Sequence, residues 1–170
     1  RAFAEATHHI TERYLQQRLI PSAMEPRGVA VVPQPQGGEV TIWSATQIPH
    51  ILKLMVAATT GTPEHKVRVI APSVGGGFGC KLNVYAEEIL AVILAKHHGV
   101  PVRWTEERSE ASMSTIQGRA QIQDIELAAD EHGRLTAIRV RLIGDMGAYL
   151  QLVTPGIPLR PGQIYESNRL

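Results

Sequence analysis

One cysteine, Cys80, stands in a chain of 170 residues, which excludes an internal disulfide framework and suits a reducing cytoplasm, the expected location. Long apolar runs are missing as well: none approaches the ~18 residues that a bilayer-spanning helix needs, so no membrane insertion is expected. The first residues, Arg1-Ala-Phe-Ala-Glu5, lack the apolar stretch of a signal peptide, and no initiator methionine precedes them. The chain is therefore expected to begin partway through a longer protein. A formal charge of +1 provides no excess of either sign, and hence no electrostatic reason for nucleic acid or an anionic membrane as partner. The seven histidines are scattered or stand in adjacent pairs, His8-His9 and His97-His98, without the i, i+4 spacing of a helical zinc motif. No metal site made of side chains is expected.

What the chain does contain is ordinary globular material. Hydrophobic residues make up 44% and charged residues 19%, in one domain's worth of sequence. Val and Ile alternate over residues 28–32 and 39–44, and the turn-rich Pro33-Gln-Pro-Gln-Gly-Gly38 between them predicts a hairpin. Residues 48–60 repeat apolar side chains at helical spacing (Ile48, Ile51, Leu52, Met55, Val56), with Thr46 as the expected cap, Pro49 in the first turn and Gly61 at the end. Residues 66–70 read as a strand, and residues 83–99 as a buried helix capped by Asn83. Glu87 and Glu88 stand near that helix's positive end and Lys96, His97 and His98 near its negative end. A short strand at 101–105 and a charged, helical connection at 106–115 follow. Then come two alternating strands, 121–129 and 135–144, around the hairpin signal Asp130-Glu-His-Gly133. Residues 2–19 suit a helix by propensity and tolerate an extended form. Strands, then helices, then a meander argue an α+β class, with a mixed or antiparallel sheet and two main helices.

The stretch with the clearest chemical content is Ala71-Pro-Ser-Val-Gly-Gly-Gly-Phe-Gly-Cys-Lys81. Four glycines around one phenylalanine offer little to pack, but they let a backbone approach a ligand with its N–H groups turned outward. Strand, glycine loop and helix start are a usual setting for anions. Two familiar motifs fail here. A P-loop needs Gly-Lys-Ser/Thr, whereas Cys80 separates Gly79 from Lys81. The dinucleotide fingerprint begins at Gly75 and Gly77 but meets Cys80 at its third glycine. A free-standing phosphate module would need a cation beside the loop, for which Lys53, Lys66 and Lys81 are the candidates. A plain structural turn is the remaining alternative.

Three blocks together carry a resemblance: Ser44-Ala-Thr-Gln-Ile-Pro-His50, Val69-Ile-Ala-Pro-Ser-Val-Gly-Gly-Gly-Phe-Gly-Cys-Lys81 and Pro101-Val-Arg-Trp-Thr-Glu-Glu-Arg-Ser-Glu110. In order and spacing they resemble the large subunit of the molybdenum hydroxylases, the family of xanthine dehydrogenase, aldehyde oxidase and the aerobic molybdenum carbon monoxide dehydrogenase. The resemblance runs over residues 13–158 and is strongest to the carbon-monoxide-dehydrogenase-like branch. It implies a molybdopterin-binding domain fragment over residues 1–158, an irregular tail over 159–170, and an extended strand within residues 2–19.

The resemblance also implies roles. Gln47 occupies the place of a glutamine whose amide donates to an oxo ligand of molybdenum, a task that suits a neutral side chain with N–H donors. Gly76, Gly77, Phe78 and Gly79 match a loop whose backbone N–H groups bind cofactor oxygens and whose aromatic ring bounds the substrate channel. Leu82 stands where the purine-oxidising branch has a glutamate, and an apolar side chain cannot make that hydrogen bond. Cys80 reads as a small buried thiol rather than a metal ligand. Glu25 and Arg27 belong to a Glu-Pro block found in the family; they read as a surface ion pair or as weak site candidates. The implied cofactor is molybdenum with molybdopterin cytosine dinucleotide. The implied partners are the remaining domains of the large subunit and separate flavin and iron–sulfur subunits. No catalytic residue is assigned, and the isolated chain is expected to be inactive. The competing expectation, from another class, is a non-catalytic folded remnant or assembly module without cofactor, in which the glycine loop closes.

Overall fold

The computed structural model describes residues 2–148 and Leu152. The proposed tail at 159–170, and the boundary before it, lie outside the described residues. The chain divides into two compact units, one spanning Ile20–Gln117 and the other combining the chain's first residues with those from Gly118 onward.

The Ile20–Gln117 unit is built on a four-stranded mixed sheet in the order β4-β3-β2-β5. Its strands are β2 (Gly28–Gln34), β3 (Glu39–Ser44), β4 (Val67–Ile70) and β5 (Val102–Thr105). β2 and β3 form the expected antiparallel hairpin, with Val31 opposite Ile42 and Val29 opposite Ser44. Pro33 is tolerated in β2 because β5 reaches only as far as Val31, so no ladder bond is asked of the proline on that side. β3 and β4 are parallel, and α1 (Pro49–Thr60) makes the crossover that a parallel pair requires.

Strand period decides which side chains form the core. Val29, Val31, Val40, Ile42 and Val67 point to one face, where Leu52 and Val56 of α1 and Ala91, Val92 and Ala95 of α2 (Ala86–His98) cover them. Burying each larger side chain contributes on the order of 1.5–3 kcal/mol. Of the apolar α1 residues, Met55 turns outward at 41% exposure. The outer side of α2 likewise leaves Leu90 and Ile93 about half exposed, so a helix that reads as apolar all round is only half covered. A third, short helix, α3 (Arg108–Ser114), follows β5.

Both long helices end as the sequence requires, on Gly61 and Gly99 in the left-handed conformation (φ 65° and 67°). Their starts differ from expectation. Ile48, not Thr46, holds the cap position of α1, while the Thr46 hydroxyl accepts the Ile48 N–H (3.1 Å). Tyr85, not Asn83, holds that of α2, its own N–H donating to the Glu88 carboxylate (3.1 Å). The delay has a physical cause. The Tyr85 ring is held against Arg27, and its hydroxyl donates to the Cys80 carbonyl (2.6 Å), which keeps residues 84–85 extended.

The other unit is a three-stranded antiparallel sheet in the order β1-β6-β7, comprising β1 (His8–Leu19), β6 (Gly118–Ala129) and β7 (Leu135–Gly144). Residues 8–19 thus take the extended form. The β6–β7 turn closes on Asp130, whose Oδ1 accepts the N–H groups of His132 and Arg134 (both 2.9 Å), with Gly133 at φ 78°. Among the described residues, no helix is long and apolar enough to cross a membrane.

Candidate functional site

The site grows from the connection between β4 and α2. After Ile70 the chain runs extended, then arches over residues 75–82 before Tyr85 starts α2. Each end of the arch is tied down. At the first end, the Glu25 N–H donates to the Gly75 carbonyl (3.1 Å) and the Gly75 N–H donates back to Glu25 Oε2 (2.7 Å). The approach is so close that a Cβ on Gly75 would lie 2.6 Å from the Glu25 Cβ. At the other end, the Gln47 N–H donates to the Lys81 carbonyl (2.9 Å), and Gln47 Oε1 accepts the N–H groups of Gly79 (3.1 Å) and Lys81 (3.2 Å).

Those last two bonds fix the orientation of the Gln47 amide. Both nearby backbone groups are donors, so the carbonyl oxygen must face them and the NH2 group must face away. Gln47 is exposed, and among the described residues its Nε2 has no partner. Between the tied ends, the backbone N–H groups of Gly77 and Phe78 are likewise without a partner. Two donor groups on the arch and one beside it, the Gln47 NH2, therefore have nothing in the described chain to satisfy them. Unpaired donors of this kind are expected to meet a ligand or solvent.

The glycines have separate reasons. Gly76 and Gly79 hold φ of 92° and 96°, where a side chain is strained. Gly77 has an ordinary φ, but a Cβ there would fall 2.5 Å from Cδ and Oε1 of Gln47. Its bareness makes room for the glutamine. Phe78 itself is left-handed (φ 51°), an uncommon state for a bulky residue, and is 76% exposed. Core packing is thus not its role.

Gln47, Gly76, Gly77, Phe78 and Gly79 are therefore brought together in one place. The expected surface pairing of Glu25 with Arg27 is not what forms. Arg27 is 5% exposed and gives its guanidinium and its backbone N–H to Glu106 (2.6, 2.9 and 2.8 Å), with its guanidinium carbon 3.7 Å from the centre of the Tyr85 ring. Glu25 instead takes the ammonium of Lys81 (2.8 Å), a side chain that is 1% exposed. Glu25 and Arg27 stand two positions apart around Pro26 and part because each meets a partner, Lys81 or Glu106, supplied from far along the chain. Sequence reasoning missed Glu106 and the burial of Lys81 for that reason; the only available signal was the charged composition of the Pro101–Glu110 block.

The electrostatics follow this pairing. The Lys81 hydrogen bond holds the Glu25 carboxyl below its ordinary range. Burial would raise Glu106, but the hydrogen bonds and charge of Arg27 outweigh it and hold that carboxyl low as well. Burial pushes the Tyr85 phenol up to about 12 and raises the Cys80 thiol. Cys80 is 5% exposed, and among the described residues no three His, Cys, Asp or Glu side chains cluster as a metal site. None of the lysines considered for a phosphate module offers a free ammonium to the arch. Lys53 pairs with Glu64 (3.5 Å), Lys66 donates to the Gly37 carbonyl (2.9 Å) and Lys81 is spent on Glu25.

The molybdopterin cofactor-binding domain family matches residues 1–166. The carbon monoxide dehydrogenase large chain of Afipia carboxidovorans is 36% identical over 147 residues, covering 86% of this chain and 18% of that protein. The nicotine 6-hydroxylase large subunit of Paenarthrobacter nicotinovorans is 34% identical over 148 residues, covering 87% and 18%. The crystal structure of quinoline 2-oxidoreductase from Pseudomonas putida 86 superposes with a TM-score of 0.80 at 35% identity, covering 89% of this chain and 19% of that one. The chain thus spans roughly a fifth of the length of the relatives it matches. A family match over almost the whole sequence, on a fold that presents a glycine arch with unsatisfied donors, shows that this chain belongs to the molybdopterin cofactor-binding domain family.

Proposed function

We propose that the chain supplies one wall of the cofactor site in a molybdenum-dependent hydroxylase large subunit. The observation that carries this reading is the Gln47 amide, turned by Gly79 and Lys81 so that its NH2 group faces outward beside the free N–H groups of Gly77 and Phe78. Neutral donors suit the oxygen atoms of an anionic pterin cofactor because they bind without neutralising or displacing them. The residues present fit the group: three open donors, no Cβ on Gly77 to block the glutamine, and a bare approach over Gly79.

In this reading Gln47 orients an acceptor oxygen of the cofactor, and the Gly77 and Phe78 amides hold others. The exposed Phe78 ring borders the path of substrate. When bound, the molybdenum cofactor supplies the two-electron redox centre. We take its form to be the cytosine dinucleotide and its electron acceptors to be flavin and iron–sulfur subunits, with the rest of the large subunit completing the site. Likeness to carbon monoxide dehydrogenase, nicotine 6-hydroxylase and quinoline 2-oxidoreductase supports the oxidation of a small substrate, and we take the oxygen to be drawn from water. Leu82 argues against a purine, because it offers no hydrogen bond to one. One buried cysteine suits a cytoplasmic protein.

The test is calorimetric titration of the full 170-residue chain with molybdopterin cytosine dinucleotide, beside Gly77→Val. Binding by the wild type and its loss in the variant are expected, since the valine would displace Gln47 from its donors. A folded wild-type chain that takes up no cofactor would overturn the reading.

A further inference from the structure

We propose that Lys81 is a positioning residue for the glycine arch, acting through Glu25. The proposal rests on the reading of the arch as a cofactor wall. Lys81 joins the two ends of the arch. Its ammonium holds Glu25 Oε2 (2.8 Å), the same oxygen that accepts the Gly75 N–H (2.7 Å). Its backbone meanwhile docks Gln47 through a carbonyl and an N–H (2.9 and 3.2 Å), and the same Gln47 oxygen holds Gly79. One residue thus sets the span from Gly75 to Gly79, within which the free donors of Gly77 and Phe78 lie.

A stability role alone accounts poorly for this arrangement. Lys81 is 1% exposed, and an ammonium taken out of water with one carboxylate partner gains little over a well-packed apolar side chain of similar length. What an apolar residue cannot do is fix the carboxylate that clasps Gly75. No neighbour can take over that task. The recess around Glu25 and Lys81 is also lined by Arg27, Cys80, Glu106 and Arg108. Arg27 is committed to Glu106, and Arg108 donates to the carbonyls of Ala23 and Met24 (2.7 and 3.0 Å). The Cys80 thiol is kept protonated by burial and carries no charge to offer.

The experiment uses the full chain with Lys81→Met, Glu25→Gln and the double variant, with Lys66→Met as a distant control. The first arm reads the amide signals of Gly75 and Gly79 and the side-chain amide of Gln47 by NMR. In Lys81→Met, hydrogen exchange at Gly75 and Gly79 is expected to quicken about tenfold or more, the loss of a charge-assisted bond. Amides of β2, β3 and α1, and the melting temperature, are expected to hold. In wild type the Gly75 amide shift is expected to titrate below the ordinary carboxylate range, because the Lys81 ammonium favours the Glu25 anion. In Lys81→Met that titration moves up, and in Glu25→Gln it vanishes. That titration reports the Lys81–Glu25 link; a merely structural lysine would leave exchange at Gly79 and the Gln47 side-chain amide unchanged.

The second arm is calorimetry with molybdopterin cytosine dinucleotide. Affinity is expected to fall about tenfold in each single variant and no further in the double, since both act through one link. Unchanged arch amides in Lys81→Met, or losses that add in the double variant, would overturn the proposal. Should the wild-type chain take up no cofactor, the reading of the arch as a cofactor wall fails, and the NMR arm still decides whether Lys81 positions it.

Discussion

The two units of the chain meet the same problem, a sheet with one apolar face, with different material. In the Ile20–Gln117 unit two helices lie on that face, and Val31, Ile42, Leu52 and Val92 are 1% exposed or less. In the β1-β6-β7 sheet the matching row, Ile10 beside Leu127 beside Ile138, lines an open groove, with Ile10 57% and Ile138 41% exposed. Alternation chooses which face is apolar, and a second layer turns that face into a core. The difference bears on function. A binding constellation must be held to a fraction of an ångström by packed neighbours, and the arch with Gln47 stands in the unit that has them.

The comparison would break most visibly at Arg27. Arg27→Met leaves Glu106, 3% exposed, as a buried anion without its partner, an expected loss of about 3–5 kcal/mol measured by urea unfolding. The pH dependence should change with it. In wild type the folded Glu106 carboxyl lies below its unfolded value. Its contribution is therefore present above the unfolded pKa and is lost as pH falls through the lowered folded one. In the variant, burial dominates and raises that carboxyl, so the slope reverses and acid relieves the strain. A variant as stable as wild type at neutral pH would show that the Arg27–Glu106 pair carries no weight.

A smaller effect sharpens the contrast between the layers. Leu52→Ala empties a fully buried position and is expected to cost about 2–5 kcal/mol. Ile125→Ala, at a half-covered position of the open groove, should cost distinctly less, because part of that side chain already meets water and no closed cavity forms. Equal losses in the two variants would mean that the groove is covered in solution.

Much of this architecture is legible in the residues. Strand alternation placed β2, β3, β6 and β7 within a few residues, Gly61 and Gly99 marked two helix ends, and the glycines around Phe78 pointed to the arch. The helix starts were not legible, because Thr46 and Asn83 are good caps by type, while the Thr46 hydroxyl also reaches the Lys81 carbonyl and the Tyr85 hydroxyl the Cys80 carbonyl. Nor was the reason for Gly77. A glycine at an ordinary φ has no local signature, and its cause, the Gln47 side chain, lies 30 positions earlier. The pairing of Glu25 with Lys81 is hidden in the same way, since a 56-residue separation leaves no periodic trace.

The smallest expected effect lies on the charged face of the open sheet, and it tests whether ion pairs there do what a packed layer does elsewhere. Arg13 meets Asp124 with two bonds (2.5 and 3.0 Å), a geometry that by itself suggests strength, and its hydrogen bond holds the Asp124 carboxyl low. Yet Asp124 also faces Arg141 in register on β7, and the Arg13 side chain is 61% exposed while Asp124 is partly so. Removing Arg13 therefore leaves the aspartate with water and a second guanidinium, so nothing buried is orphaned. Arg13→Gln is expected to melt indistinguishably from wild type at neutral pH. A clear drop in the melting midpoint, abolished by added salt, would show instead that the charged ladder substitutes for a hydrophobic layer in holding this sheet.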